Sequence, residues 1–281
     1  MPRKQTQLAG DGIQRGFVTL PTKPSARLGY SFIPQPSGGA SQRLLVFLSG
    51  IDSPQTVWQG ALTRLVSLSR TNGIELPPIL VYDRYGTGTS DHDPSDSGKP
   101  PNEYHDALEA TRDLRQLIIQ IASKHLGLTE TILPDLSITF CAHSIGCCIA
   151  RFYGDAYPGT VEALLLIDSA IAGTAAEKLV PDPDISEEWE KGQWMLPEGT
   201  TADECRDAVR RARNSPFSGH AMTTRERIRW DNMPELLPKG DKPRLRGPKL
   251  GMPRVTVVVS DAEVTKVQLA KVRTYAPETN R

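Results

Sequence analysis

Apolar and polar positions fall into a repeating order along the first 170 residues of the chain. Residues 44–48 (LLVFL), 78–82 (PILVY) and 163–167 (ALLLI) are continuous apolar runs of strand length, the pattern of strands buried on both faces of a central sheet. Residues 17–20 and 28–33 alternate apolar with polar instead. Separated by Pro21, Pro24 and Ser25, they predict two opening antiparallel strands. The Gly-, Ser- and Pro-rich stretch 35–41 is the next turn. Helical patterns fill the gaps. Trp58, Leu62, Leu65 and Leu68 lie on one side of the first; Leu114, Leu117, Ile118 and Ile121 form the packed face of a second, expected to be capped by Asn102 and to end near Gly127. This alternation of strand and helix requires a mostly parallel sheet with right-handed crossovers.

The stretch 137–153 (SITFCAHSIGCCIARFY) organises the rest. A β-prone run, Ile138-Thr139-Phe140, meets Ala142-His143-Ser144-Ile145-Gly146, and a helical pattern of Ile145, Cys148, Ile149 and Phe152 follows at once. A serine at so sharp a strand-to-helix turn is lifted clear of the sheet in a strained conformation, and only small residues fit two places to either side. Ala142 and Gly146 supply them. The turn also sets the Ile145 N–H in the first turn of a helix, where unpaired donors and the dipole favour negative charge. A simpler reading is that Ser144 only caps the helix, since serine is a preferred capping residue.

Composition narrows the function. Lys plus Arg and Asp plus Glu balance at 33 each among 281 residues, so no bulk charge recruits nucleic acid or an anionic membrane, and a small-molecule substrate fits better. Hydrophobic content of 38% suggests that part of the chain is polar loop or lid. No apolar run is long enough for a membrane span, and the polar start of the chain has no apolar signal segment, so a disordered leader over 1–12 and a cytoplasmic location are expected. Cys141, Cys147 and Cys148 crowd the elbow and Cys205 stands alone, without a spaced Cys/His framework, which suits apolar packing better than zinc or a disulfide. Gly86-x-Gly88 lacks the third glycine of a phosphate cradle. The adjacent Asp91-His92-Asp93 cannot all converge on one ion and reads as a solvated loop. No cofactor or metal is expected.

Three pieces in this order carry a resemblance: Leu48-Ser49-Gly50-Ile51 after an early strand, Asp83-x-x-Gly86-x-Gly88-x-Ser90 after the next, and Ala142-His143-Ser144-Ile145-Gly146 after the third. Together they resemble the α/β-hydrolase family over about residues 17–170, and again near a short strand at 254–260. The resemblance implies a core over 13–170, a lid insertion over 171–252 and an incomplete return to the core over 253–281. It implies Ser144 as nucleophile, the backbone N–H groups of Ile51 and Ile145 as the oxyanion hole, and Asp261 as triad carboxylate, with Glu263 behind it and Asp168 as the alternative. Ser49 stands where many members carry histidine in a His-Gly pair. In the lid, Thr201-x-x-Glu204 is a capping-box signature for a helix to about Arg213. Trp189, Trp194, Met195 and Trp230 would face a substrate or pack the lid on the core, and Lys239, Lys242, Arg244, Arg246 and Lys249 read as a solvated return loop.

Family order places a histidine after the acid, yet His92, His105, His125, His143 and His220 all precede Asp261. After Asp261 the sequence predicts one helix over 264–272 and a polar tail, with no final apolar strand. The expectation is therefore a chain cut short relative to a full-length hydrolase; the alternative is that His220, in the lid, substitutes as the base. Two functions stay open. One is a serine hydrolase acting on an ester, thioester, lactone or amide, with an apolar acyl compound as substrate. The other is a non-catalytic or truncated relative that binds a small apolar ligand or a partner. Lyase or perhydrolase chemistry on the same scaffold is a third possibility without a residue in its favour.

Overall fold

A computed structural model describes residues 12–36, 41–128, 135–168, 201, 203–204, 206–207, 210, 225–229, 232–237, 245–248 and 251–258. The strands β1 (Gln14–Leu20), β2 (Lys23–Ile33), β3 (Arg43–Leu48), β4 (Ile79–Tyr82), β5 (Ser137–His143), β6 (Val161–Ile167) and β7 (Arg254–Val258) form one seven-stranded sheet in the order β1-β2-β4-β3-β5-β6-β7. β1 pairs antiparallel with β2, and β2 antiparallel with β4. Every later pairing is parallel. The sheet is thus mixed but mostly parallel, as the unbroken apolar runs predict. All four residues of β4 are buried because both sheet faces are covered there.

The helices α1 (Gln59–Thr71), α2 (Ala107–Leu126) and α3 (Ile145–Ala156) cover the sheet, and a single turn, α4 (Met233–Leu236), follows later. One core lies under α2 and α3, where Leu114, Leu117, Ile118, Ile121, Ile149 and Tyr153 are fully buried against Leu28, Phe32, Val46 and Phe140. The other lies under α1, where Trp58 and Leu62 meet Phe47, Ile79, Val81 and Cys141. No helix among the described residues is long and apolar enough to cross a membrane.

Several local expectations change. The first helix turns its apolar side over Leu62 and Leu65, while Leu68 is half-exposed beyond the edge of the second core. The reversal between β1 and β2 takes up only Pro21 and Thr22, and Pro24 and Ser25 lie inside β2 next to an irregular register at Leu20. Asn102 does not cap α2. It sits in a separate 3₁₀ turn, Pro101–Glu103, favoured by the two prolines before it. The cap is Asp106, which accepts from the N–H groups of Leu108 and Glu109 while Glu109 returns a bond to the Asp106 N–H. Gly127 closes the helix in the left-handed conformation. The solvated loop expected at 91–93 is exposed only at His92, since Asp91 pairs with Arg27 and Asp93 is buried against Lys23.

Candidate active site

β5 ends at His143 and α3 begins at Ile145, so one residue makes the whole turn. That residue, Ser144, has φ 53° and ψ −123°, a conformation costly for any side chain bearing a Cβ. Its N–H donates to the Ile167 carbonyl (3.1 Å) and its carbonyl accepts from the Cys147 N–H (3.0 Å), which pins the strained backbone from both sides. The small neighbours have the expected cause. A Cβ on Gly146 would stand 2.7 Å from the Leu48 carbonyl oxygen, and Ala142 is fully buried. The capping reading fails, because the Ser144 side chain makes no cap hydrogen bond to α3. Its hydroxyl is left for other work.

The loop after β3 closes on this elbow. A Cβ on Gly50 would meet the Ser144 Cβ at 3.3 Å and the His143 Nδ1 at 2.9 Å, so only glycine allows the two segments to touch. Ser49 does not face the site as a family histidine would; its Oγ accepts from Trp58 Nε1 (3.0 Å) in the buried interior. Neither the Ile51 N–H, in the loop, nor the Ile145 N–H, at the start of α3, donates to an acceptor among the described residues. Two unsatisfied donors therefore lie on the segments that meet at Ser144.

The glycine-rich turn after β4 serves the same loop rather than a phosphate. Asp83, buried, accepts from the N–H (2.6 Å) and Nε2 (2.9 Å) of Gln55 and from the N–H (2.9 Å) and Oγ1 (3.0 Å) of Thr89. Gly88, at φ 50°, passes directly against that carboxylate, and Gly86, at φ 81°, passes the Arg225 carbonyl. Ser90 Oγ closes the turn by donating to the Asp83 carbonyl (2.6 Å) and accepting from the Gly29 N–H (2.9 Å).

An antiparallel β2 followed by parallel strands, with a strained serine at the β5–α3 elbow and a donor loop after β3 beside it, is a specific combination. The chain has the α/β-hydrolase fold. No family model matches the sequence, and no curated protein does. Among solved structures it is similar to Cfl2 from Burkholderia cenocepacia, at 16% identity over 94% of this chain and 96% of that chain, with a TM-score of 0.48. It is also similar to an α/β hydrolase, GrgF, from Penicillium sp. sh18 (14% identity, 66% of this chain, TM-score 0.42) and to a hydrolase from Pseudomonas aeruginosa PA01 (18% identity, 76% of this chain, TM-score 0.42). The chain spans 57% of the length of GrgF and 69% of the Pseudomonas hydrolase. The fold assignment rests on the sheet order and the elbow themselves.

Within this α/β-hydrolase fold the other candidate residues are spread unevenly. His143 stands beside Ser144 and over Gly50. His105 is buried on Asp96 (2.7 Å) and His125 stacks on Phe32, so both are engaged elsewhere, and His92 is exposed. Asp168 follows β6 at φ 51°, next in sequence to the Ile167 carbonyl that holds Ser144, and its N–H donates to the Val258 carbonyl (2.7 Å). β7 runs parallel to β6 and ends at that same sheet edge, with Val258 opposite Ile167. Asp261, Glu263, His220, Trp189, Trp194, Met195, Trp230 and the helix expected over 264–272 lie outside the described residues.

In the segment expected as a lid, the capping pair is present: the Thr201 N–H donates to Glu204 Oε2 (3.1 Å) and the Glu204 N–H to Thr201 Oγ1 (3.2 Å). Part of the expected return loop packs on the core, with Leu245 against Gly154 and the Arg246 carbonyl accepting from the Gly159 N–H (2.7 Å). Burial pushes the thiols of Cys141 and Cys148 up to about 12, so both are neutral packing groups. No cluster that could hold a metal ion occurs among the described residues. Sequence reasoning missed Arg84 and Glu226. Neither had a local signal, since Arg84 follows β4 only after Asp83 and its partner Glu226 is 142 positions away.

Proposed function

We propose that this chain is a hydrolase of the acyl-serine kind, acting on a small apolar ester, thioester, lactone or amide. The observation that carries it is Ser144: a strained serine whose hydroxyl makes no cap bond and no other hydrogen bond among the described residues, on a turn that meets two segments whose N–H groups also lack an acceptor among those residues. In this reading the Ser144 hydroxyl adds to the substrate carbonyl. The Ile51 and Ile145 N–H groups stabilise the oxyanion, which is where most of the rate would come from. Asp261 is the proposed carboxylate, and the imidazole that takes the serine proton comes from outside the described residues, with His220 its candidate.

The placement of the described histidines favours a second reading. With His105 and His125 engaged on Asp96 and Phe32, and His143 fixed in the turn beside Ser144, the fold could hold a small apolar ligand or partner without turning it over. Hydrolysis of p-nitrophenyl esters of graded acyl length separates the two. The serine-hydrolase reading expects turnover that Ser144→Ala lowers by several powers of ten, while a binding protein gives equal background for both.

A further inference from the structure

Arg84 is nearly fully buried, on the side of the β3 loop away from Ser144's strand, and nothing in the proposed chemistry uses it. Its Nη1 donates to the Ser49 carbonyl and its Nη2 to the Gly50 carbonyl, each at 2.7 Å. The same guanidinium forms a two-point pair with the fully buried carboxylate of Glu226, through Nε to Oε1 and through Nη2 to Oε2 (3.0 Å). Glu226 Oε2 also accepts the Asp52 N–H (2.9 Å), and the Asp52 carboxylate accepts the N–H groups of Glu226 (2.9 Å) and Arg225 (3.2 Å).

These bonds have a directional consequence. In a trans peptide the carbonyl and the following N–H point in opposite directions. Holding the Ser49 and Gly50 carbonyls on the guanidinium turns the Gly50 and Ile51 N–H groups the other way, out of the buried side. Rotating either peptide would leave a buried charge-assisted bond unmade, which is costly. A lysine could not do this, because a single ammonium lacks the planar fork that reaches two carbonyls and a carboxylate together.

We propose that Arg84, clamped by Glu226, is the positioning residue that aims the Ile51 N–H at the oxyanion. This rests on the serine-hydrolase reading for its catalytic consequence. Residues 225 and 226, which come from the chain between β6 and β7, thereby become part of the site's support although they touch no substrate.

The test uses the full chain as wild type, Arg84→Lys and Arg84→Ala, each checked for native near-UV circular dichroism. The rate of labelling by a fluorophosphonate is measured against reagent concentration. The saturating rate is expected to fall about 10²-fold in both variants, as for loss of one oxyanion donor, with little change in half-saturation. Millimolar guanidinium ion should restore about tenfold in Arg84→Ala and nothing in Arg84→Lys. If Arg84→Ala does not fold, the saturating rate of Arg84→Lys decides.

If wild type does not label, the hydrolase reading fails and nitrogen relaxation of the loop decides the positioning role separately. Backbone order parameters at Gly50, Ile51 and Asp52 should drop from about 0.85 to below about 0.6 in the variants, and only there. Unchanged labelling, an unchanged loop, or losses spread over the whole sheet without guanidinium rescue would overturn the proposal.

Discussion

Gly146, in the first turn of α3, lies so close to Leu48 at the end of β3 that an added methyl would stand 2.7 Å from the Leu48 carbonyl oxygen and 2.9 Å from its Cβ. The helix can start where it does only because that position carries no side chain. Gly146→Ala is therefore expected to destabilise the fold by about 1–3 kcal/mol, as overpacking against fixed backbone does. It should also displace Ser144 from Gly50. Urea unfolding with an unchanged slope and a lower midpoint would register the first effect; an unshifted midpoint would mean that the elbow has slack.

Ser144 itself stores strain. At φ 53° and ψ −123° glycine is unpenalised, so Ser144→Gly should raise stability by about 1 kcal/mol or more while removing the proposed nucleophile. Thermal unfolding of the two proteins checks this. A stability lower than wild type would show that the serine side chain contributes something to folding that its lack of a cap bond denies.

How much of this was visible in the sequence differs by element. The strands β3, β4 and β6 were legible because four or five consecutive apolar residues leave few alternatives, although the expected burial on both faces holds at β4 and fails at β6, where Ala163, Leu165 and Ile167 are only partly buried; the elbow was legible because small residues at 142 and 146 flank a serine. The start of α2 was not. Asn102 and Asp106 are both good caps, and the choice between them lies in the extended backbone at Tyr104 and in the side chain of Glu109. Long-range polar contacts were illegible for a plainer reason. The Arg84–Glu226 and Lys23–Asp113 pairs join positions far apart in the chain, and no local pattern distinguishes such residues from ordinary surface charge.

Lys23 sits buried between Asp93 (2.5 Å) and Asp113 (2.6 Å), under the ring of Tyr85. Burial opposes its charge, but Asp113 and Asp93 together hold its pKa above the ordinary value. Lys23→Met would leave two buried carboxylates without the cation they share, at a cost of about 3–5 kcal/mol. Adding Asp113→Asn to it should recover part of that loss. Chemical denaturation of the single and double variants provides the comparison, and equal stabilities for wild type and Lys23→Met would refute the role given to the pair.

A neighbouring group makes the stability depend on pH. Burial would lower the pKa of His105, yet the hydrogen bond and charge of Asp96, with Asp93 and Glu226 behind it, raise it above the ordinary 6.5. The folded chain therefore holds this proton more tightly than the unfolded chain. The stabilisation is complete below about pH 6.5 and is lost as pH rises through the folded value. Replacing the imidazole, as in His105→Gln, should remove that fall and cost about 1–3 kcal/mol at low pH through the unsatisfied Asp96. Unfolding midpoints measured between pH 5 and pH 9 would show it; an identical slope in both proteins would assign the dependence to another group.

The most direct measurement is labelling of the purified chain with a fluorophosphonate, read as intact mass and then as the modified peptide. One adduct per chain, located on Ser144 and absent from Ser144→Ala, is the expected result, and it requires an activated serine at the β5–α3 elbow. A folded wild-type chain that takes up no reagent, or takes it up equally after Ser144→Ala, would contradict the hydrolase reading and leave the elbow as architecture.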